Sequence, residues 1–480
     1  MATQAFPYQY VTLGQARQEL ANRLYDNNQV FWSPPELNII IAEALQTWNA
    51  FTSMWRGDFL FQTAQGTYWY DLTQLPNSLI PYTVTDSTLY NAILYHMLEP
   101  VTGPVSLQFS IDDMTNAVQR RRDEVLTTTS CTQTRRLVGA VNGRITLPDT
   151  VLDVRRMAYL PGYVPTGGYG SGYYGSGEYG YSPATYYTGH VVWPEDTWAM
   201  TSFDYNWTQN PPGFPSTYIM STEPPLSFDV NCPPIAAGQY ELLTVEAGGT
   251  LNFAVPSTLQ VPDDWTWVIK WGALADLMGR QANATDPLRQ VYAEQRYKMG
   301  MALLEKTPAL VAMRANNVPL QIDSVRSGDY YNTNWEALPQ GGPPLDCYYS
   351  GTNLIALTPI PDNQPSAGVP YSMTATVVEN APLPVIPNPI TGIGFVFSDT
   401  APVQLSRGDY DAVLDYCVHL ALFKAGGKEF SDTIPLFDRF MKQCSLYGLK
   451  LAELVEYMKP IYDASNYEKN QNPVVSVEQQ

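Results

Sequence analysis

Three stretches with helical periodicity, residues 12–56, 263–304 and 406–459, lie far apart in the chain and are separated by sequence that reads as strand and loop. An amphipathic helix has to cover its apolar stripe, so distant segments must come together to make one core. In the first stretch Thr12 and Gln15 have capping-box spacing, and Leu13, Ala16, Leu20 and Leu24 fall on one face. Ser33-Pro34-Pro35-Glu36 marks a second helix start, with Ser33 as cap, Pro34 where its missing N–H is no loss, and Glu36 reaching back. Leu37, Ile40, Ile41, Ala44, Leu45, Trp48, Phe51 and Trp55 follow at helical spacing. The second stretch opens at Asp263 or Asp264 and is apolar nearly all round, which predicts burial on several sides, and Asp286-Pro287 starts its partner helix. The third looks like a distant copy of the second. Asp264, Val268 and Leu277 match Asp409, Val413 and Leu422, and Pro287, Leu288, Gly300 and Leu303 match Pro435, Leu436, Gly448 and Leu451. A true repeat and two unrelated helical hairpins are equally compatible with so few identities.

Strand signals fill the intervals: Thr67–Leu72, Arg144–Leu147, Val151–Tyr159, Tyr240–Glu246, Leu251–Val255, Asn353–Thr358, Tyr371–Val378 and Ile393–Ser398. A short helix near 110–126, capped by Ser110 with Asp113 behind it, interrupts the first β region. The expected fold class is therefore α+β. A discontinuous helical core is built from 1–60, 256–316 and 403–465, with a β-rich module at 61–255 and a second at 317–402, and an extended C-terminal tail at 466–480. No helical period is evident from Pro460 onward, and Val474, Val475 and Val477 suit strand addition to a neighbour. Residues 161–190 hold nine Gly and eight Tyr, the composition of a flexible surface loop or of a contact arm ordered by a partner.

Charge narrows the function classes. With 46 acidic against 27 basic residues the net charge is −19, which disfavours binding to nucleic-acid phosphates. Five scattered cysteines form neither a disulfide framework nor a zinc motif, and no apolar run is long enough to span a membrane; a soluble protein of a reducing compartment is expected. Two G-x-G-x-x-G matches, beginning at Gly170 and Gly175, lack the strand before and the helix after that pyrophosphate binding requires. Gly426-Gly427 reads as a helix end rather than a phosphate loop. Asp411, Asp415 and His419 follow one another at one-turn spacing, either as a carboxylate-oriented base or, more economically, as a polar stripe on an apolar helix. No catalytic constellation, cofactor motif or metal-ligand spacing stands out, so no enzyme activity, cofactor or metal is expected.

One charge feature does stand out. Residues 110–160 carry Arg120, Arg121, Arg122, Arg135, Arg136, Arg144, Arg155 and Arg156 against six acidic residues. Arginine at every position suits fixed bidentate pairing with carboxylates. Those carboxylates belong either to the same chain or to an acidic partner or neighbouring copy, so Arg120, Arg121, Arg122, Arg135 and Arg136 are candidate interface residues.

The opening block from Tyr10 to Leu24, continued by Trp32-Ser-Pro-Pro-Glu-Leu-Asn, resembles the start of tailed-bacteriophage head-to-tail connector (adaptor, or neck) proteins. Gln119-Arg-Arg-Arg-Asp-Glu-Val-Leu, Gly143-Arg-Ile-Thr-Leu-Pro-Asp and the segment from Pro262 to Asp276 look like segments of phage structural proteins. The resemblance covers mainly the helical blocks. It implies a structural virion protein in the neck of a phage particle, assembled in the host cytoplasm. Such a protein forms a ring, typically of twelve copies, beneath the portal. Its partners are itself, the portal and tail or fibre proteins, with DNA only as transient cargo and no membrane. A decoration or fibre-attachment subunit is the alternative, and a carbohydrate-active enzyme a more distant one.

Overall fold

A computed structural model of the chain describes residues 10–97, 109–139, 144–161, 190–221, 223, 225–234, 238–251, 257–279, 286–307, 309–331, 335, 342–361, 370–387 and 395–471. Its helices are α1 (Leu13–Arg23), α2 (Pro34–Thr52), α3 (Asp86–His96), α4 (Ile111–Thr129), α5 (Thr197–Phe203), α6 (Thr266–Met278), α7 (Pro287–Leu304), α8 (Val325–Tyr331), α9 (Arg407–Phe423), α10 (Gly427–Ser431), α11 (Ile434–Ser445) and α12 (Leu451–Gln471). The first strands are β1 (Arg56–Gln62), β2 (Trp69–Asp71), β3 (Thr134–Gly139), β4 (Ile145–Thr146), β5 (Val151–Pro161), β6 (His190–Pro194), β7 (Thr217–Met220), β8 (Ser227–Val230) and β9 (Gly238–Glu246). The remainder are β10 (Leu310–Ala315), β11 (Val318–Pro319), β12 (Gln321–Ser324), β13 (Asp346–Ser350), β14 (Leu354–Thr358), β15 (Ser372–Val378), β16 (Val385–Pro387) and β17 (Phe395–Phe397). The fold is mixed α and β, as the pattern of periodicities predicts.

One hydrophobic cluster joins helices from all three periodic stretches: Leu20 of α1, Trp48 of α2, Trp271 of α6, Tyr292 of α7, Tyr416 of α9 and Phe440 of α11. The Thr12 capping box forms, with Gln15 Oε1 accepting from the Thr12 amide at 3.0 Å. The Ser33 side chain makes no cap bond, whereas Glu36 reaches back to the Ser33 backbone and also meets Lys424 at 3.0 Å, because α2 is buried along most of its length and a buried carboxylate needs a cation. Two further helices enter this body from the segment expected to be β-rich. They are α3, through Tyr90 and Ile93, and α4, through Val118, Val125 and Leu126. The α4 helix carries the expected Ser110–Asp113 box and runs to Thr129. The α3 helix is buried on several sides, which erases the amphipathic stripe that would announce it.

The hairpin equivalence between the second and third stretches holds to the start of the second helix, with Pro287 and Pro435 in the first turns of α7 and α11, and fails beyond it. Gly300 lies inside α7, where α6 and α7 touch, whereas Gly448 sits at φ +106° in the turn between α11 and α12. The extended segment expected from Pro460 is corrected as well. Helix α12 continues through Pro460 to Gln471, anchored by Leu454, Ile461 and Ser465 against the body. An interior proline costs a helix about 3 kcal/mol, which tertiary packing outweighs here. Val474, Val475 and Val477 lie outside the described residues, as do residues 162–189 of the Gly/Tyr-rich loop and residues 252–255 of the expected strand at Leu251–Val255.

The β structure divides differently from the chain. Residues 134–246 supply a seven-stranded sheet of order β3-β9-β5-β6-β7-β8-β4. Two four-stranded sheets, β1-β15-β10-β11 and β12-β13-β14-β2, share one cluster that includes Phe59, Phe61, Met313, Ile355, Met373 and Val377. Strands β1 and β2 thus leave the N-terminal segment, and β10 leaves the central one, to pair with sequence from 346–378. Arg56 faces Val378, and Ala315 faces Met373. The expected boundaries at 60/61 and 316/317 therefore cut through one sandwich. Alternation identifies a strand but not its partner, because pairing is set by which faces need covering.

Candidate functional site

The arginine-rich segment is where charge, burial and inter-module contact coincide. The α4 helix presents three arginines in a row. Arg120 and Arg121 both reach Asp276 of α6, Arg121 at 2.5 Å, and Arg121 also meets Glu294 of α7 at 3.2 Å. The Arg121 guanidinium stands 4.6 Å from the Tyr297 ring. Burial opposes its charge, but the hydrogen bond it donates to Asp276 and the neighbouring carboxylates outweigh burial and raise its pKa. Arg122 is fully buried. It pairs with Asp123 at 2.8 Å and donates to the Gly248 and Gly249 carbonyls at 3.2 and 3.1 Å. Arg120 remains the exposed member, with 64 % of its side chain accessible.

The strand arginines hold the β structure together. Arg135 on β3 and Arg136 on the same strand meet Glu241 and Glu246 of β9 at 2.6 and 2.7 Å. Glu241 is fully buried and also accepts from the Tyr68 hydroxyl at 2.7 Å and the Trp69 indole at 2.9 Å. Arg156 on β5 makes a two-pronged contact with Asp329 of α8, which also accepts from Trp335 Nε1 at 2.8 Å. A cluster of Trp69, Leu243, Val325, Trp335 and Tyr348 surrounds these charges, so seven-stranded sheet and sandwich meet at a carboxylate–arginine–aromatic junction. Of the candidate interface residues, then, Arg120 to Arg122, Arg135 and Arg136 all pair with carboxylates of this chain. Sequence left both destinations open because a guanidinium looks the same whichever partner folding supplies.

The Asp411, Asp415 and His419 run does not assemble into one site. Asp411 and Asp415 face Arg23 of α1 at 3.0 and 2.9 Å, and Asp415 also meets Arg439 at 3.1 Å. His419 is fully buried; its ring nitrogens lie 2.8 Å from Tyr292 Oη and 2.8 Å from Thr433 Oγ1, and burial drives its pKa down to about 3. A histidine so placed is cut off from any solvent-borne substrate. The acidic pair Asp263–Asp264 likewise turns inward. Asp263 accepts from the Thr83 and Val84 amides at 2.8 and 3.0 Å, and Asp264 from Asn49 and the Ala381 amide at 2.5 and 3.1 Å. Burial raises Asp264 to about 7. These carboxylates fasten α2, the segment before α3, and the chain leaving β15 to the start of α6.

Two further charges are buried in the helical body, Lys270 as an interior charge of a helix apolar nearly all round and Arg296 without a sequence signal that singles it out. Lys270 contacts Glu43 and lies 3.0 Å from His96 Nε2, and burial lowers its pKa to about 8. Arg296 is fully buried, donates to Tyr416 Oη at 2.6 Å, and stands 4.6 Å from the Trp267 ring and 4.8 Å from Phe437. Among the described residues no group of three or more His, Cys, Asp and Glu is placed to hold a metal ion, and no helix is long and apolar enough to cross a membrane.

What the surface does offer is exposed apolar side chains. On the helical body they are Tyr25, Val30 and Phe31 beside α1, and Leu446, Tyr447 and Val455 around the turn between α11 and α12. Beside the seven-stranded sheet they include Trp193 of β6, Trp198 and Phe203 of α5, and Tyr205 just after it. No protein-family model matches the chain, and no curated protein matches it.

Proposed function

We propose that the chain is a structural virion protein, a head-to-tail connector that forms a ring beneath the portal and joins capsid to tail. The observation that carries this reading is the helical body. Stretches from the beginning, middle and end of the chain share a single hydrophobic cluster, yet leave Tyr25 at 96 %, Val30 at 83 %, Leu446 at 74 % and Val455 at 61 % exposed. Exposed apolar groups that gather, as Tyr25, Val30 and Phe31 do beside α1 and Leu446 and Tyr447 do before α12, mark surfaces that associate where they form a contiguous patch. A closed, head-to-tail ring covers two different faces of each copy at once. The net charge of −19 per copy suits a channel through which DNA slides, since few cationic groups hold its phosphates. The two β assemblies then sit peripherally, toward tail components.

Electron microscopy of the purified chain, alone and mixed with portal rings, tests the reading. Open-centred rings that cap the portal support it. A monomer that stays monomeric with the portal present refutes it, and elongated trimers point instead to a fibre-type subunit.

A further inference from the structure

We propose that the crossover between β6 and β7 of the seven-stranded sheet, around α5, is a docking site for a lysine- and arginine-bearing protein surface. Trp198 is 88 %, Phe203 89 % and Tyr205 85 % exposed, within eight consecutive residues. Large aromatic side chains are normally covered, and rings of this kind dominate the energetics of protein interfaces.

The rings are held by a rigid frame. Asp196 caps α5 through the Ala199 amide at 2.7 Å, and Met200 is buried beneath the helix. Asp204 accepts from the Asn206 amide at 3.1 Å and from Asn210 Nδ2 at 2.7 Å, which closes the turn behind Tyr205. Side chains with two rotatable bonds on such a frame lose little entropy when bound.

The occupant follows from charge. Residues 190–234, which contain α5 and its flanking strands, carry five acidic residues and no lysine or arginine. Beside α5 lies a groove of about 380 Å³ lined by Asp153, Glu195, Asp196 and Tyr218 among others. Asp153 already meets Arg155 at 2.9 Å and Asp196 is engaged as a cap, whereas Glu195 is exposed and forms no side-chain hydrogen bond or ion pair among the described residues. Anionic nucleic acid and anionic lipid are repelled by this acidic surface. A guanidinium or ammonium group is attracted both by the carboxylates and by the faces of Trp and Tyr rings. The chain uses the same pairing internally, with Arg135 5.2 Å from the Tyr68 ring and Arg156 5.3 Å from Trp335. The proposal does not depend on the connector reading, because it concerns the β6–β7 crossover and not the helical body.

The test titrates the purified full chain with fluorescein-labelled octa-arginine at near-physiological salt, with octa-glutamate and maltoheptaose as comparison probes. The variant W198A/F203A/Y205A removes the rings, leaves the charge unchanged and takes away only side chains that point to solvent; its circular dichroism is expected to match that of the parent. Saturable octa-arginine binding that weakens about tenfold or more in this variant, and weakens also in Glu195→Gln, supports the proposal. Equal binding by parent and variant assigns the attraction to diffuse charge and overturns it. So does an absence of saturable octa-arginine binding, or binding of maltoheptaose that depends on the three rings. Ring formation by the triple variant is read separately by microscopy, so a failure here leaves the connector reading standing, and the reverse.

Discussion

Arg156 and Asp329, 173 residues apart, face each other through two hydrogen bonds of 2.7 and 2.9 Å with only 6 % of each side chain exposed. The pair joins β5 of the seven-stranded sheet to α8 beside the sandwich, and Trp335 closes over it with its ring 5.3 Å from the guanidinium.

Removing one partner of such a pair is more damaging than removing both, because the survivor stays buried and charged. Asp329→Ala is expected to destabilise the chain by about 3–5 kcal/mol, measured as a lower urea midpoint. The double replacement R156M/D329L is expected to lose less than the single one. If the double variant is the worse of the two, the pair stabilises by more than compensation of charge and this account fails.

Gly300 offers a case in which helix propensity and packing disagree. Alanine is the better helix former by about 1 kcal/mol, but a Cβ at Gly300 would lie 2.5 Å from Val268 Cγ2 and 2.9 Å from the Trp267 ring. Both neighbours are buried in α6 and have little room to yield. Gly300→Ala is therefore expected to lower stability by about 1–3 kcal/mol. A thermal melt that rises on substitution means that α6 and α7 can part at no cost.

Acid sensitivity follows from His419. Burial holds its pKa at about 3 in the folded chain, whereas the unfolded chain binds the proton near the ordinary value of 6.5. Its contribution is complete above pH 6.5 and is lost as pH falls from 6.5 toward 3. Burial and the Lys270 charge lower His96 in the same direction. Asp264, raised by burial, acts with opposite sign, losing stability as pH climbs from its ordinary 3.8 toward 7. Comparing the parent with His419→Gln cancels these shared terms. The parent is expected to lose more stability between pH 7 and pH 4.5 than the variant; equal losses in denaturant titrations at the two pH values remove His419 as the cause.

Pro460 lies inside the continuous α12, between the buried Leu454 and Ile461. Pro460→Ala restores a backbone donor and relieves the ring's clash with the preceding turn, so helicity and melting temperature are both expected to rise, by up to about 3 kcal/mol of stability. An unchanged or lower melting temperature shows that the proline fits this packing without strain.

Much of the helical body was legible because its signals are local. Thr12 with Gln15, Ser110 with Asp113, and the spacing of Leu37 through Trp55 each act within a few residues, and each stands in the structure as a cap or a buried face. Strict alternation likewise marks Ser372–Val378 as a strand with every second side chain buried. The α3 helix was hidden because burial on several sides removes periodicity, and α12 because a proline argues locally against the helix that packing stabilises.

By itself the sequence determined the α and β elements with strong local patterns, the acidic balance, and an arginine-rich segment suited to carboxylates. Only the tertiary structure decided that Arg56 would face Val378 in a strand pair, that Arg121 would turn to Asp276 and Arg135 to Glu241, and that His419 would be sealed from Asp415 against Tyr292 and Thr433. The physical reason is range. Capping and periodicity are satisfied by neighbours along the chain, whereas ion pairs, strand partners and burial depend on which distant surfaces exclude water together.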